Sequence, residues 1–115
     1  MLSFGPNIEV DHEAFDREIA RYRKLADDLE KLAQGNWPNI QENSDAPFLE
    51  QRRLAVRPVP ILVGLVSGHP ILPGIRREII TSELVALSAR LGWARTRSRW
   101  YRLGPSEREM RSAVQ

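Results

Sequence analysis

The first strong apolar pattern in the chain lies at Phe15, Ile19, Tyr22, Ala26, Leu29 and Ala33, alternately four and three residues apart, with Leu25 and Leu32 widening the stripe. That spacing predicts one amphipathic helix from about 11 to about 34. Asp11 can accept hydrogen bonds from the free N–H groups of the first turn, and Glu13 and Asp16 lie where the helix dipole favours acids. Gly35 can close the helix in the left-handed conformation. Glu13 with Arg17 and Asp27 with Lys31 stand four apart on the wet face. At 1.5 Å per residue the helix is about 35 Å long, more than a small sheet needs for cover. Its apolar seam is expected to pack on the sheet of this domain; the alternative is that it pairs with the helix of a second copy. Phe15, Ile19, Tyr22, Ala26 and Leu29 are the candidate self-association face.

On either side of this helix the pattern is weaker. Residues 1 to 10, with Gly5-Pro6-Asn7, have no periodicity and read as a flexible lead-in. Residues 35 to 47 are rich in turn formers and read as a long connection tacked down by Trp37 and Ile40. Phe48 to Val56 is ambiguous, because Pro47 suits the first turn of a short helix while Arg57-Pro58-Val59-Pro60 stops one. Ile61 to Val66 is the most apolar segment and predicts a buried strand. Turns at Ser67-Gly68-His69-Pro70 and Leu72-Pro73-Gly74 lead into a second strand over Ile75 to Thr81. From Thr81 to Leu91, Leu84, Leu87 and Leu91 lie between Ser82 and Gly92 at a spacing that local periodicity assigns to a short helix. Leu84-Val85-Ala86-Leu87 is equally compatible with a strand.

The stretch from Gly92 to Gly104 reads as an extended strand. If it runs straight, Trp93, Arg95, Arg97, Arg99, Tyr101 and Leu103 point one way while Ala94, Thr96, Ser98, Trp100 and Arg102 point the other. One face is then a row of guanidinium groups closed by aromatics.

Composition narrows the classes. A chain of 115 residues, 42% apolar and 28% charged, suits one soluble globular domain, expected over 11–104 with a flexible tail over 105–115. No cysteine is present, which excludes disulfides, thiolate metal sites and cysteine nucleophiles and suits a reducing cytoplasm. The longest apolar run, Val59 to Val66, is far short of the ~20 residues that span a bilayer, and no secretory signal opens the chain. The net charge of +2 hides an asymmetry: residues 1–73 carry 8 Lys/Arg against 11 Asp/Glu, and residues 74–115 carry 9 Arg against 4 Glu. The basic half, at +5, has no lysine, and arginine suits an anionic partner through forked hydrogen bonds and ring stacking. Attraction to the acidic half, or to a second copy, is the plainer reading.

Gly68-His69-Pro70, Thr81-Ser82, Gly92-Trp93-Ala94-Arg95-Thr96, Ser98-Arg99 and Tyr101-Arg102-Leu103-Gly104 together resemble an uncharacterised family of short proteins from alphaproteobacteria and their mobile elements, a domain of unknown function. The likeness covers about residues 47 to 104 and leaves the N-terminal helix outside. It implies a strand-rich C-terminal unit and favours a β-hairpin, Ile79 to Leu87 paired with Trp93 to Leu103, over the local helical reading. It implies no activity and no catalytic residue.

Candidate chemistry is sparse. His69 has no Cys, second His or acidic cluster at ligand spacing, so it reads as a turn residue bonding backbone groups that the turn leaves free; His12 reads as exposed in the first helical turn. Ser67 near His69 and Ser82 beside Glu83 lack a Gly-x-Ser-x-Gly elbow, and the glycines at 64, 68 and 74 are not followed by Gly-Lys-Ser/Thr. No catalytic, cofactor or metal site is expected, and no enzyme. The expected fold is α+β: one long N-terminal helix packed on a small antiparallel sheet that ends in a basic β-hairpin. The expected function is a small cytoplasmic regulatory or interaction protein, with a homodimer through its helix as its candidate assembly, whose contact residues are Trp93, Arg95, Arg97, Arg99, Trp100, Tyr101 and Arg102. The alternative is a DNA- or RNA-binding module in which the same arginines meet phosphates and the aromatics stack on bases.

Overall fold

The computed structural model describes residues 1–4, 10–38 and 45–114. Its elements in chain order are β1 (Leu2–Ser3), α1 (His12–Ala33), β2 (Val63–Val66), β3 (Arg77–Ile80), β4 (Leu84–Ser88), β5 (Trp93–Thr96), β6 (Trp100–Arg102) and α2 (Glu107–Val114), an α+β chain. It divides into two compact units, one of residues 11–57 and one of residues 1–10 with 58–115.

In the first unit α1 starts and stops where its caps dictate. Asp11 Oδ1 accepts from Ala14 N at 3.1 Å. At the other end Asn36 N donates to Lys31 O and Gly35 N to Leu32 O, with Gly35 at φ 81°, so the last carbonyls are satisfied in a Schellman arrangement. Glu13 pairs with Arg17 at 3.1 Å as its spacing predicts. Among the described residues the second pair is Glu18 with Arg21 rather than Asp27 with Lys31. No residue of α1 is buried, and Ile19, Tyr22, Leu25, Leu29 and Leu32 are all exposed. Beyond α1, Trp37 is exposed rather than tacked down, and Ile40 lies outside the described residues. Phe48 to Val56 forms no helix and is exposed throughout, since so short a segment cannot offset the cost of helix nucleation without a face to pack against.

The second unit holds two sheets. One has the order β1-β4-β5-β6, in which β1 is parallel to β4 and the other pairs are antiparallel; the second is the antiparallel ribbon of β2 and β3. Residues 1 to 10, expected to be a flexible lead-in, thus contribute a strand, with Leu2 opposite Ala86 and Ser3 opposite Leu87. The expected buried strand over Ile61 to Val66 is a strand but not a buried one: Val63 is 72% exposed, and Leu65 and Ile80 are exposed beside it. Two strands pair by their edges alone, so one face of the ribbon keeps its side chains in solvent while Val66 and Ile79, on the other, are half-buried. The tail carries α2, capped by a reciprocal box in which Glu109 N donates to Ser106 Oγ and Ser106 N to Glu109 Oε2.

The segment from Thr81 to Leu91 resolves toward the strand. β4 pairs with β5, Ser88 facing Trp93 and Leu87 facing Ala94, across a turn in which Gly92 takes φ 75° and donates to Ser88 O. Ile79 and Ile80 pair with β2, not with β5, so the hairpin is shorter than Ile79 to Leu87. Between Leu84 and Ala86 the register shifts, Leu84 facing Thr96 and Ala86 facing Arg95, which makes Val85 a β-bulge. Among the described residues, Leu84, Ala94, Ser88 and Thr96 are the buried ones of this sheet.

Candidate interaction surface

Thr96 is the pivot of the region richest in arginine and tryptophan. Its Oγ1 accepts from the backbone N–H groups of Ser98 and Arg99, each at 3.2 Å, and donates to Arg99 O at 3.2 Å. Its own N–H donates to Arg99 O at 3.0 Å. A hydroxyl that closes a turn on nearby backbone can stand in for the glycine, asparagine or proline usually found there. Arg97 N also donates to Glu83 O at 2.9 Å, and the Ser82 and Ser98 hydroxyls lie 2.8 Å apart, so the tip is tied to the segment leading into β4.

The turn overturns the straight strand expected from Trp93 to Leu103. Directly opposed residues of an antiparallel pair share a face. Trp93 is opposite Arg102, Arg95 opposite Trp100, and Ala94 opposite Tyr101. Trp100 and Arg102 therefore join Trp93 and Arg95, and Tyr101 moves to the face of Ala94 and Thr96. The row of Arg95, Arg97 and Arg99 on one side does not exist. Arg95 and Arg102 share the tryptophan face, Arg97 is exposed at the tip, and Arg99 lies close enough to His69 for its charge to act there.

The tryptophan face is an aromatic run with arginine laid over its end. Phe4 meets Trp93 edge to face with centroids 5.3 Å apart, and Trp93 meets Trp100 in the same way at 5.4 Å. The Arg95 guanidinium carbon sits 5.7 Å from the Trp100 ring centroid, a cation–π distance. Trp93 and Arg95 are half-buried, Arg102 is exposed, and Trp100 is 64% exposed. Among the described residues none of Arg95, Arg97, Arg99 and Arg102 is in an ion pair. Phe4 was not legible as a member of this face, because a single aromatic in an aperiodic lead-in carries no signal of the strand pairing that delivers it.

On the opposite face His69 behaves as its turn setting predicts. Its Nδ1 accepts from Ile71 N and Leu72 N, both at 3.1 Å, and its ring lies 6.5 Å from that of Tyr101. The His69 pKa is pushed below its ordinary value, first by desolvation among its neighbours and second by the Arg99 charge. Protonating Nδ1 would also break both hydrogen bonds. The folded state therefore holds His69 neutral at a pH where the unfolded chain protonates it. This contribution to stability is complete above the ordinary value of 6.5 and is lost as pH falls from there toward the depressed folded value. Thermal unfolding of the wild type and His69→Asn, whose amide oxygen can accept the same bonds, should diverge in this window. A difference between the two that stays constant from about pH 8 to pH 5 would refute the assignment.

The residues proposed for self-association, Phe15, Ile19, Tyr22, Ala26 and Leu29, all lie on α1, where Phe15 is half-buried and the other four are exposed. Among the described residues no group of three His, Cys, Asp or Glu could hold a metal ion, and no helix is long and apolar enough to cross a membrane. No curated protein and no solved structure matches the chain. A family model does match, over residues 12–114, and so takes in α1 and α2 as well as the strands in which a likeness was legible. The chain belongs to DUF6634, a family of unknown function.

Proposed function

We propose that this protein is a small, non-enzymatic interaction protein with a regulatory role, and that its contact surface is the face of Trp93, Arg95, Trp100 and Arg102. The observation that carries the reading is an exposed Trp100 that meets Trp93 edge to face and lies at cation–π distance from the Arg95 guanidinium. Tryptophan and arginine dominate the residues that supply binding energy at protein interfaces. A tryptophan already held by its neighbours also loses little side-chain freedom on docking. A photo-crosslinking residue at position 100 should capture one defined partner in cells, and the same residue at position 108 should not; equal capture at both sites would refute the surface.

Nucleic acid is the second reading, supported by arginines that, among the described residues, are in no ion pair and by an exposed ring beside them. It is weakened by the dispersal of those arginines in three directions, since a phosphate backbone is tracked by charges on one side. Retention of DNA or RNA at low salt that disappears in the triple variant Arg95→Ala, Arg97→Ala, Arg99→Ala would favour it. The cysteine-free sequence suits a reducing compartment such as the cytoplasm.

Self-association through α1 is part of the same proposal. The 4-3 spacing of its stripe matches what a second helix needs, and the stripe is exposed from Ile19 onward. Sedimentation should give a dimer or larger species for the wild type and a monomer for Ile19→Glu. A monomeric wild type would end this part of the proposal.

A further inference from the structure

β6 is the last strand of its sheet, and its register shows which backbone groups are already used. Leu103 N donates to Gly92 O at 2.8 Å, and Thr96 N donates to Arg99 O at 3.0 Å. Between those rungs the alternation of an antiparallel ladder makes Ala94 and Tyr101 a hydrogen-bonded pair. It leaves the N–H and C=O of Trp100 and Arg102 pointing away from β5. Among the described residues no strand pairs with that edge. Open edges are usually blunted by shortness, by charged side chains, by proline, by a bulge or by a covering element; β6 is three residues long and carries Arg102, a charge that disfavours a basic strand and admits an acidic one. Here Trp100 and Arg102 are exposed, and Pro105 lies beyond the strand. Arg102 is on β6, Arg95 is opposite Trp100 on the same face, and neither is in an ion pair among the described residues, in a half of the chain whose charge is +5.

We propose that this edge docks an acidic, extended segment of a partner protein, which adds to the sheet beside β6 and sets alternate carboxylates against Arg95 and Arg102. The inference rests on the interaction reading above and adds a partner chemistry and a binding geometry. Strand addition supplies main-chain hydrogen bonds, and alternate side chains supply specificity. Side chains on one face of an incoming strand recur about every 7 Å, the same repeat that separates Trp100 from Arg102 along β6. Guanidinium groups bind carboxylates through paired, charge-assisted hydrogen bonds. A nucleic acid matches the charge but offers no amide ladder to the outward N–H and C=O groups, so the edge favours a peptide.

The test titrates the full chain with a blocked peptide of alternating glutamate and valine, read by tryptophan fluorescence and by the amide resonances of Trp100 and Arg102. Binding should be saturable, weaken as salt rises, and fall at least tenfold in the double variant Arg95→Ala, Arg102→Ala. Two further peptides carry N-methyl groups on one or the other alternate set of amides. The set that faces β6 should lose at least tenfold in affinity and the other set should bind as the parent does. A lysine–valine peptide should not bind. Equal affinity of the two methylated peptides would overturn strand addition, as would failure of the acidic peptide to bind at millimolar concentration. Tighter binding of an oligothymidylate of equal charge would replace the peptide with nucleic acid. If crosslinking at position 100 succeeds while the acidic peptide fails, only this inference falls; if crosslinking fails as well, the interaction reading falls with it.

Discussion

Thr96→Val is expected to lower the stability of the sheet unit by about 2 kcal/mol, because valine keeps the shape of the side chain and removes three hydrogen bonds of about 1 kcal/mol net or less each. Thr96 is 1% exposed, so water cannot fully replace the lost acceptor. Ser98 N can turn to solvent, whereas Arg99 N sits in a half-buried residue and keeps most of the penalty. For a unit of this size the change corresponds to a fall in Tm of roughly 8–16 °C. Thr96→Ser retains the hydroxyl and should lose less than half as much. Thr96→Val should also release Trp100 from Trp93, since the turn is what places the two rings on one face, and a red shift in tryptophan emission would report it. A valine variant as stable as the wild type, with unchanged emission, would show that the turn stands without its threonine and that the arginine and aromatic face is not built on it.

Leu84→Ala should cost about 2–5 kcal/mol, the range for emptying a buried leucine site. Leu84 is 4% exposed, faces Thr96 across the β4–β5 pair, and donates its N–H to Pro60 O at 2.9 Å. It thus joins the four-stranded sheet to the chain that leads into β2. Alanine preserves the backbone bond and removes the side chain, so the loss is one of packing. A domain is stable by only about 5–15 kcal/mol in total, and little else in this sheet is buried. The expected readouts are a lower urea midpoint and faster amide exchange across Ala86, Leu87 and Ala94. Leu103→Ala, at a half-buried position, should cost less than half as much. A Leu84→Ala protein within about 1 kcal/mol of the wild type would place the core of this unit elsewhere.

These two residues also explain why part of the molecule was legible in the sequence and part was not. Most of what in α1 depends on neighbours within a turn or two was readable: the apolar spacing, Asp11 as cap, Gly35 as terminator and Glu13 with Arg17, though not the pairing of Glu18 with Arg21 in place of Asp27 with Lys31. The backbone bonds of His69 were readable for the same reason, since a turn leaves N–H groups free within reach of its own side chains. The box of Ser106 and Glu109 at the start of α2 is an equally local signal that was present in the sequence and passed over.

What the tertiary structure decided is the phase of alternation along the strands, and with it the candidate surface. Leu84 and Leu87 are three residues apart, a helical spacing, yet both belong to a strand whose bulge at Val85 inserts one residue and returns Leu84 to the face of Leu87. Trp100 and Arg102 are an odd number of residues from Trp93 and Arg95, yet they share a face because two residues are spent turning the chain at Arg97 and Ser98. A period-2 pattern tolerates no miscounting: one extra residue moves every later side chain to the other side of the sheet. The bulge is not written in local composition: it depends on Leu84 pairing with Thr96, twelve residues away, when the sheet forms. The turn is closed locally by the Thr96 hydroxyl but carries none of the usual turn residues, and its tip is held by Arg97 N on Glu83 O.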